Sequence, residues 1–296
     1  MHPKQLNREK KKRSKNVPWL GRMLARLPSS WPVLYPLYLA AQLDTVQEQY
    51  WSRVLPPAFD ETRIAFLSDI HFGPLLGEDR MRALADRVNA LHPDYVILGG
   101  DYGQNSHDAL RFFELKPGFR ANQAVLAVLG NHDRMDPEEN APRLLAAMRA
   151  DGVTPLVNEA YRVTRNGQSL VIAGADDYYC GSPNLPLLAA ACRNGDFSIF
   201  VCHEPDLLPK TQQMPEGPFY QLALCGHTHG GQVALFGHAI FSSSLYGDRY
   251  LSGWYQEAGA DILVTNGVGT SGLPVRLGAR PQLHLITLKR ETDSFP

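Results

Sequence analysis

The sequence predicts an α/β protein in which two β-sheets pack together and helices cover their outer faces. Strand-length apolar runs alternate with helical patterns in the first half of the chain, whereas the second half is richer in strand-like runs. Two packed sheets with helices outside accommodate both halves in one fold. A third observation is functional, because five of the strand-like runs end in residues of the kind that bind metals.

The first half is predicted to alternate strand and helix. Apolar residues there either follow one another over four to six positions or recur with helical spacing. The predicted elements are a strand over 63–67, a helix over 78–90, a strand over 95–98, a helix over 108–115, a strand over 124–129 and a helix from Pro137 to a stop near Gly152.

The second half is predicted to consist mainly of strands. The tetrapeptide Arg165-Asn166-Gly167-Gln168 separates two apolar runs and is typical of a tight β-hairpin turn. The predicted strands cover 161–164, 169–173, 197–201, 221–224, 232–235, 262–265 and 284–288.

Charge divides the chain into a basic arm and an acidic body. A chain of 296 residues holds one large α/β domain or two modest ones. Residues 1–26 carry nine Lys or Arg against one Glu, a balance of +8, and the remainder carries twenty basic and twenty-nine acidic residues, a balance of −9. We predict an arm and connector over 1–60, the main domain over 61–290 and a tail over 291–296.

The arm has the composition of a membrane-surface anchor. The uncharged stretch 27–43 is rich in Trp, Tyr and Leu, but its seventeen residues are interrupted by three prolines. A transmembrane helix needs roughly twenty apolar residues. We interpret residues 1–43 as binding an anionic membrane surface from the cytoplasmic side, and a helical arm packed on the body is the alternative. Four cysteines without C-x-x-C spacing agree with a reducing cytoplasm.

The first candidate metal-ligating residues are Asp69 and His71, which stand two positions apart where a strand-like run ends. On an extended backbone, residues i and i+2 point to the same side. An oxygen and a nitrogen ligand directed at one point suit a borderline divalent metal. By itself this D-x-H pair fits two solvated side chains at a strand end equally well.

Four later apolar runs also end in metal-binding residue types. In open α/β sheets the active site lies at the carboxyl ends of the strands. The residues that follow these four runs are Asp101 after a glycine pair, Asn131, His132 and Asp133 after Gly130, the single His203, and His227 and His229 in a Gly-His-Thr-His sequence.

This ordered set of motifs resembles the calcineurin-like metallophosphoesterases. The motifs extend from Asp69 to His229, and familiar flanking features continue to about Leu288. The Gly-His-Thr-His-Gly-Gly-Gln sequence over 226–232 and the glycine-rich loop over 267–276 further resemble the bacterial phosphodiesterase branch of that family. That branch includes enzymes that act on UDP-diacylglucosamine.

The resemblance implies an αββα sandwich and two divalent metal ions that share one carboxylate. Because the candidate ligands include carboxylates, imidazoles and an amide but no thiolate, manganese is the expected metal, with iron or zinc as alternatives. By motif, Asp69, His71 and His229 hold one ion, Asn131, His203 and His227 hold the other, and Asp101 bridges them.

Four further residues receive candidate roles in catalysis and substrate binding. His132, beside the ligand Asn131, is the candidate general acid, and Asp133 is its expected orienting partner. Asp177 and Arg276 are candidate substrate contacts, although a plain turn explains both sequences as well.

The expected activity is metal-dependent hydrolysis of a phosphodiester or pyrophosphate bond, on a phosphate ester that is lipid-linked and membrane-associated. A phosphomonoesterase, a nuclease and a metal-binding scaffold without activity are the alternatives. No specific nucleic acid is expected as a partner, because the chain beyond residue 26 is acidic and would repel a polyanion.

Overall fold

The computed structural model describes residues 39–73, 76–135, 137–235, 238–240 and 242–292. The strands in chain order are β1 (Asp44–Ser52), β2 (Arg63–Leu67), β3 (Tyr95–Leu98), β4 (Ala124–Ala127), β5 (Val153–Pro155), β6 (Glu159–Arg165), β7 (Gln168–Gly174), β8 (Phe197–Cys202), β9 (Leu222–Cys225), β10 (Ala234–Leu235), β11 (His238–Ala239), β12 (Gly253–Glu257), β13 (Ala260–Val264) and β14 (Gln282–Arg290). The α-helices are α1 (Glu78–Asn89), α2 (Ser106–Glu114), α3 (Asn131–Arg134), α4 (Pro137–Ala150), α5 (Leu185–Cys192) and α6 (Leu208–Gln212).

The first sheet has the strand order β1-β14-β2-β3-β4-β5. Strands β2 to β5 are parallel, β14 is antiparallel to β2, and β1 is parallel to β14. Its outer face is covered by α1, α2 and α4, whose apolar residues include Leu84, Phe112 and Leu144 and belong to one cluster with Val96 and Leu98 of β3. The helices predicted in the first half therefore cover this sheet as expected.

The second sheet has the strand order β12-β13-β9-β8-β7-β6. Its four central strands are parallel, and β6 and β12 run antiparallel at its two edges. The predicted hairpin forms between β6 and β7, and Asn166 and Gly167 both have the positive φ angles of a two-residue turn, at 51° and 76°. Residues of α5 and α6 cover the outer face, as Leu188 and Leu208 share a cluster with Phe200.

The two sheets pack against each other through a third apolar cluster. Ile64, Phe66 and Leu126 of the first sheet meet Ile199 and Leu263 of the second, and all five are almost completely buried. Apolar residues thus form three layers, one between the sheets and one under the helices on each side. This arrangement confirms the predicted αββα sandwich of mixed sheets.

The N-terminal boundary of the predicted domain needs a correction. Residues 44–60 were expected to belong to a connector, but Asp44–Ser52 forms strand β1 and pairs with β14 over nine residues. The sequence signal was weak because β1 lies at a sheet edge, where most of its side chains remain partly exposed and polar. The C-terminal boundary at 290 coincides with the end of β14.

Most of the predicted membrane anchor lies outside the described residues, since it covers 1–43 and the description begins at 39. Among the residues that are described, no helix is both long enough and apolar enough to cross a membrane.

Candidate metal centre

The loops that follow five strands converge at one end of the sandwich. Asp69 and His71 follow β2, Asp101 follows β3 and Asn131 follows β4, while His203 follows β8 and both His227 and His229 follow β9. Except for the half-buried Asn131, these side chains are almost fully buried. The structure therefore brings all seven predicted ligands together, from both sheets.

The first group of ligand atoms consists of Asp69, His71 and His229. The Nε2 atoms of His71 and His229 are 3.0 Å apart, and Nε2 of His229 is 3.5 Å from Oδ1 of Asp69. Oδ2 of Asp101 completes the group at 3.7 Å from Nε2 of His71. We call these three residues with Asp101 the His229 group.

The second group of ligand atoms consists of Asn131, His203 and His227. Oδ1 of Asn131 is 3.0 Å from Nδ1 of His227, and Nε2 of His203 is 3.3 Å from Oδ2 of Asp101. We call these three residues with Asp101 the His203 group. Since Oδ2 of Asp101 belongs to both groups, its carboxylate lies between them, where the family resemblance expects the shared ligand.

The hydrogen bonding of His203 tests whether the residues fit a metal ion. Its Nδ1 lies 2.7 Å from the carbonyl oxygen of Gly99, which fixes the proton on that nitrogen. Its Nε2 is buried and lies 3.3 Å from Oδ2 of Asp101 and 3.9 Å from Oδ1 of Asp69. Burial alone lowers the pKa of His203, but the negative charges of Asp101 and Asp69 raise this pKa well above its ordinary value, so the position attracts positive charge. A divalent metal ion would supply that charge, so the donor set fits a metal.

Burial also keeps the other histidines in the form that binds metals. It lowers the pKa of His71 to about 3, and the proximity of His132 contributes to the shift. It lowers the pKa of His227 to about 3 as well, with a smaller contribution from His203. Both imidazoles are therefore neutral near pH 7 and keep a nitrogen lone pair for coordination.

The backbone at the ligands is strained. Asp69, His71, Asp101, His227 and His229 have φ angles of 54°, 50°, 55°, 70° and 54°, in the left-handed region that residues other than glycine rarely adopt. Each such residue costs on the order of 1–3 kcal/mol and persists only where the surrounding structure enforces it. Five of them at one point indicate that the fold holds these side chains in place for a function.

His132 lies at the mouth of the cluster, and its side chain is 19% exposed. Its Nδ1 is 2.8 Å from the carbonyl oxygen of Gln104, and its backbone N–H donates to Oδ1 of Asp101 at 2.8 Å. Its Nε2 is thereby directed toward the cluster, 3.9 Å from Oδ2 of Asp101. This position next to both ligand groups suits the predicted general acid.

The predicted partnership of Asp133 with His132 is wrong. The carboxylate of Asp133 accepts backbone N–H bonds from Asp101, Gly130 and Tyr102 at 2.8, 2.9 and 3.0 Å. It thus fixes the loop that carries Asp101, and the carbonyl of Gln104 orients His132 instead. The sequence gave no signal for Gln104, because any residue type supplies a carbonyl oxygen.

Burial argues against the substrate contacts expected of Arg276 and Asp177. Both side chains are completely buried. The guanidinium of Arg276 lies behind His229 and donates to main-chain carbonyls, and Asp177 accepts from the backbone N–H of Cys180. A substrate phosphate would reach either residue only after these hydrogen bonds had broken.

A sandwich fold with two groups of candidate metal ligands that share a carboxylate is typical of metal-dependent phosphoric ester hydrolases. The family model described as calcineurin-like phosphoesterase matches residues 62–231, which is more than half of the chain. The chain belongs to this family, as its motifs predicted.

Two bacterial relatives of this chain agree with the family assignment. The metallophosphoesterase YkuE of Bacillus subtilis is 30% identical over 260 residues, covering 86% of this chain and 89% of YkuE. The phosphodiesterase YaeI of Escherichia coli is 28% identical over 242 residues, covering 76% of this chain and 82% of YaeI. A dimetal phosphatase structure from Danio rerio has a TM-score of 0.45 at 13% identity, covering 71% of this chain and 88% of that one.

Proposed function

We propose that this protein hydrolyses a phosphodiester or pyrophosphate bond with the help of two divalent metal ions. The observation that carries the proposal is the shared Oδ2 of Asp101, 3.7 Å from Nε2 of His71 in one ligand group and 3.3 Å from Nε2 of His203 in the other. A carboxylate placed in this way suits a pair of ions that act on one phosphate. The similarity to a named phosphodiesterase supports the preference for diesters.

The residues present would hold one ion in the His229 group and the other in the His203 group. Manganese is the proposed metal because the ligands combine carboxylate and amide oxygens with imidazole nitrogens, a set that iron and zinc also accept. Bound metal ions would supply activation of water and neutralisation of the phosphoryl oxygens.

His132 would supply the proton that the leaving oxygen needs. Because the Gln104 carbonyl holds the proton on Nδ1, Nε2 is the nitrogen that takes up and releases a proton. Its position beside the shared carboxylate would place it near the bond that breaks.

Metal dependence is the first test of the proposed activity. We expect the full chain, stripped of metal with a chelator, to be inactive on bis(p-nitrophenyl) phosphate, and added Mn²⁺ to restore hydrolysis. Mg²⁺ serves as the control ion, since its preference for oxygen ligands is poorly met by a site with four imidazoles. p-Nitrophenyl phosphate is measured in parallel. Hydrolysis of the monoester alone would replace the proposal with a phosphomonoesterase, and no hydrolysis of either with any divalent metal would favour a binding role.

We also propose that the substrate is lipid-linked and that residues 1–43 bring the protein to the inner face of the membrane. The support is the charge balance of +8 over residues 1–26 and the aromatic, leucine-rich stretch that follows. Basic residues near an anionic surface contribute about 1 kcal/mol each.

A charge variant of the full chain tests the proposed membrane binding. Five basic residues, Lys10, Lys11, Lys12, Arg13 and Lys15, are replaced with serine. We expect the affinity for phosphatidylglycerol vesicles, measured by cosedimentation, to fall by at least about 100-fold, because the attraction of all five charges is lost. Phosphatidylcholine vesicles and added salt are the controls, as screening shortens such attractions. Equal binding of the parent and the variant to anionic vesicles would refute the anchor.

A further inference from the structure

Arg276 is a completely buried cation at the metal centre. Its Nε donates to the carbonyl oxygen of Gly269 at 3.0 Å, and its Nη1 donates to those of His229 and Ala279 at 3.1 and 3.3 Å. Its Nη2 donates to the carbonyl oxygens of Gly269 and Gly267 and lies 3.1 Å from Nδ1 of His229. All three nitrogens of the guanidinium are therefore used.

Burial of this charge is costly. Removal of the guanidinium from water lowers its pKa to about 10, so that it remains protonated at neutral pH. Its hydrogen-bond acceptors are neutral carbonyl groups, and the negative charge of Asp69, which raises the pKa of Arg276, offsets only part of the cost of burial. A well-packed apolar side chain often fills such a space with equal or better stability. The presence of arginine therefore calls for a role other than packing.

The carbonyl groups that Arg276 binds belong to a loop that lies against another metal ligand. The backbone N–H of Gly269 donates to the carbonyl oxygen of Asp69 at 2.7 Å, and that of Val268 donates to Ser68 at 3.0 Å. Gly267 is so close that a Cβ atom there would lie 2.6 Å from Cβ of Asp69. Arg276 thus connects His229 to the loop that packs on Asp69, and both of these residues belong to the His229 group.

We propose that Arg276 is a positioning residue for the His229 group. It holds the backbone carbonyl of His229 and fixes the glycine loop over 267–269 against Asp69. Only the planar fork of arginine reaches all these acceptors, since lysine has a single nitrogen. The assignment rests on the metal site of the proposed function.

The test compares metal binding by Arg276→Lys with that of the parent chain. Lysine keeps the positive charge but cannot hold both His229 and Gly269, so we expect the affinity of the His229 group for Mn²⁺ to fall by about 10- to 100-fold. The affinity of the His203 group should stay unchanged. We measure the Mn²⁺ affinity and stoichiometry of the metal-stripped full chain by chelator competition. His229→Ala is the reference variant, because it removes a ligand from the His229 group.

Two control variants separate positioning from general effects. Arg162→Lys changes a guanidinium that also donates to two main-chain carbonyls, at 2.7 and 2.8 Å, but far from the centre on β6. Phe197→Leu shortens a buried side chain at the end of β8 far from His203, and we expect it to lower the melting temperature. Both should keep the parent's affinity at both groups.

Two results would overturn the assignment of Arg276. One is parental Mn²⁺ affinity at both groups in Arg276→Lys. The other is an equal loss of Mn²⁺ affinity at both groups in Arg276→Lys together with a lower melting temperature of that variant, as this would mean a purely structural role. A parent chain that binds two Mn²⁺ ions but hydrolyses no phosphate ester would refute the proposed function, and the Arg276 comparison would still be decided by metal binding.

Discussion

Replacing Asp101 with asparagine is expected to reduce kcat/KM for a phosphodiester by about 10³-fold, the upper end for loss of one preorganised electrostatic group. Asparagine has the same shape as aspartate and keeps an oxygen at the Oδ1 position, which can still accept the hydrogen bond from the backbone N–H of His132. The negative charge between the two ligand groups is lost, however, at the atom that lies 3.3 Å from His203 and 3.7 Å from His71. Two cations held close together then repel each other without compensation.

The same substitution should also lower the amount of metal bound. We expect Asp101→Asn to bind fewer than two Mn²⁺ ions per chain under conditions that saturate the parent, measured by elemental analysis after gel filtration. Asp79→Asn is the matched control, because Asp79 is an exposed carboxylate on α1. Parental activity in Asp101→Asn would show that the shared carboxylate is not required and would remove the main support for a two-metal mechanism.

Replacing His132 with alanine is expected to separate catalysis from metal binding. A general acid contributes roughly 10²- to 10⁴-fold to the rate, and its contribution is largest when the leaving oxygen is strongly basic. The Nε2 of His132 lies 3.9 Å from the shared carboxylate. We therefore expect kcat for an alkyl phosphodiester to fall within this range, with a much smaller loss for a p-nitrophenyl ester, whose leaving group needs no proton.

The leaving-group comparison distinguishes proton transfer from electrostatic stabilisation. If His132 only stabilises negative charge on the phosphoryl oxygens, alanine should slow both esters by similar factors. Mn²⁺ stoichiometry should remain that of the parent in either case, because His132 is outside both ligand groups. His107→Ala is the control, as the side chain of His107 is 79% exposed on α2. Unchanged turnover of the alkyl ester would exclude His132 as the acid.

The ligands could be predicted from sequence because each one follows a recognisable strand. The carboxyl ends of parallel strands in a sheet lie at one edge, so residues after β2, β3 and β4 come close together whatever the details of the loops. The sequence also placed His203 and His227, since both follow apolar runs that form neighbouring parallel strands. The contact between the two groups required the second sheet to pack on the first.

The partners of these residues could not be predicted from the sequence. Asp133 is adjacent to His132 in the chain, yet its carboxylate turns to three backbone N–H groups, and the carbonyl of Gln104 takes the position beside His132. Arg276 is predicted from the glycine-rich loop to be a substrate contact, but the loop folds inward and buries its side chain behind His229. Adjacency in the sequence did not predict these contacts. The short helix α3 and the residues with left-handed backbone conformation change the direction of the chain between neighbouring residues.

The sequence by itself determined the sandwich fold, the chemical class of the site and, through its family motifs, the seven candidate ligands. Apolar periodicity defines strands and helices, and ligand residues at strand ends are a local property of the chain. Tertiary structure alone decided which atom each ligand directs at the centre, which nitrogen of His132 is free and what Arg276 holds. These features depend on hydrogen bonds between distant segments, such as Gln104 to His132 and Arg276 to Gly269, for which the linear order of residues carries no direct signal.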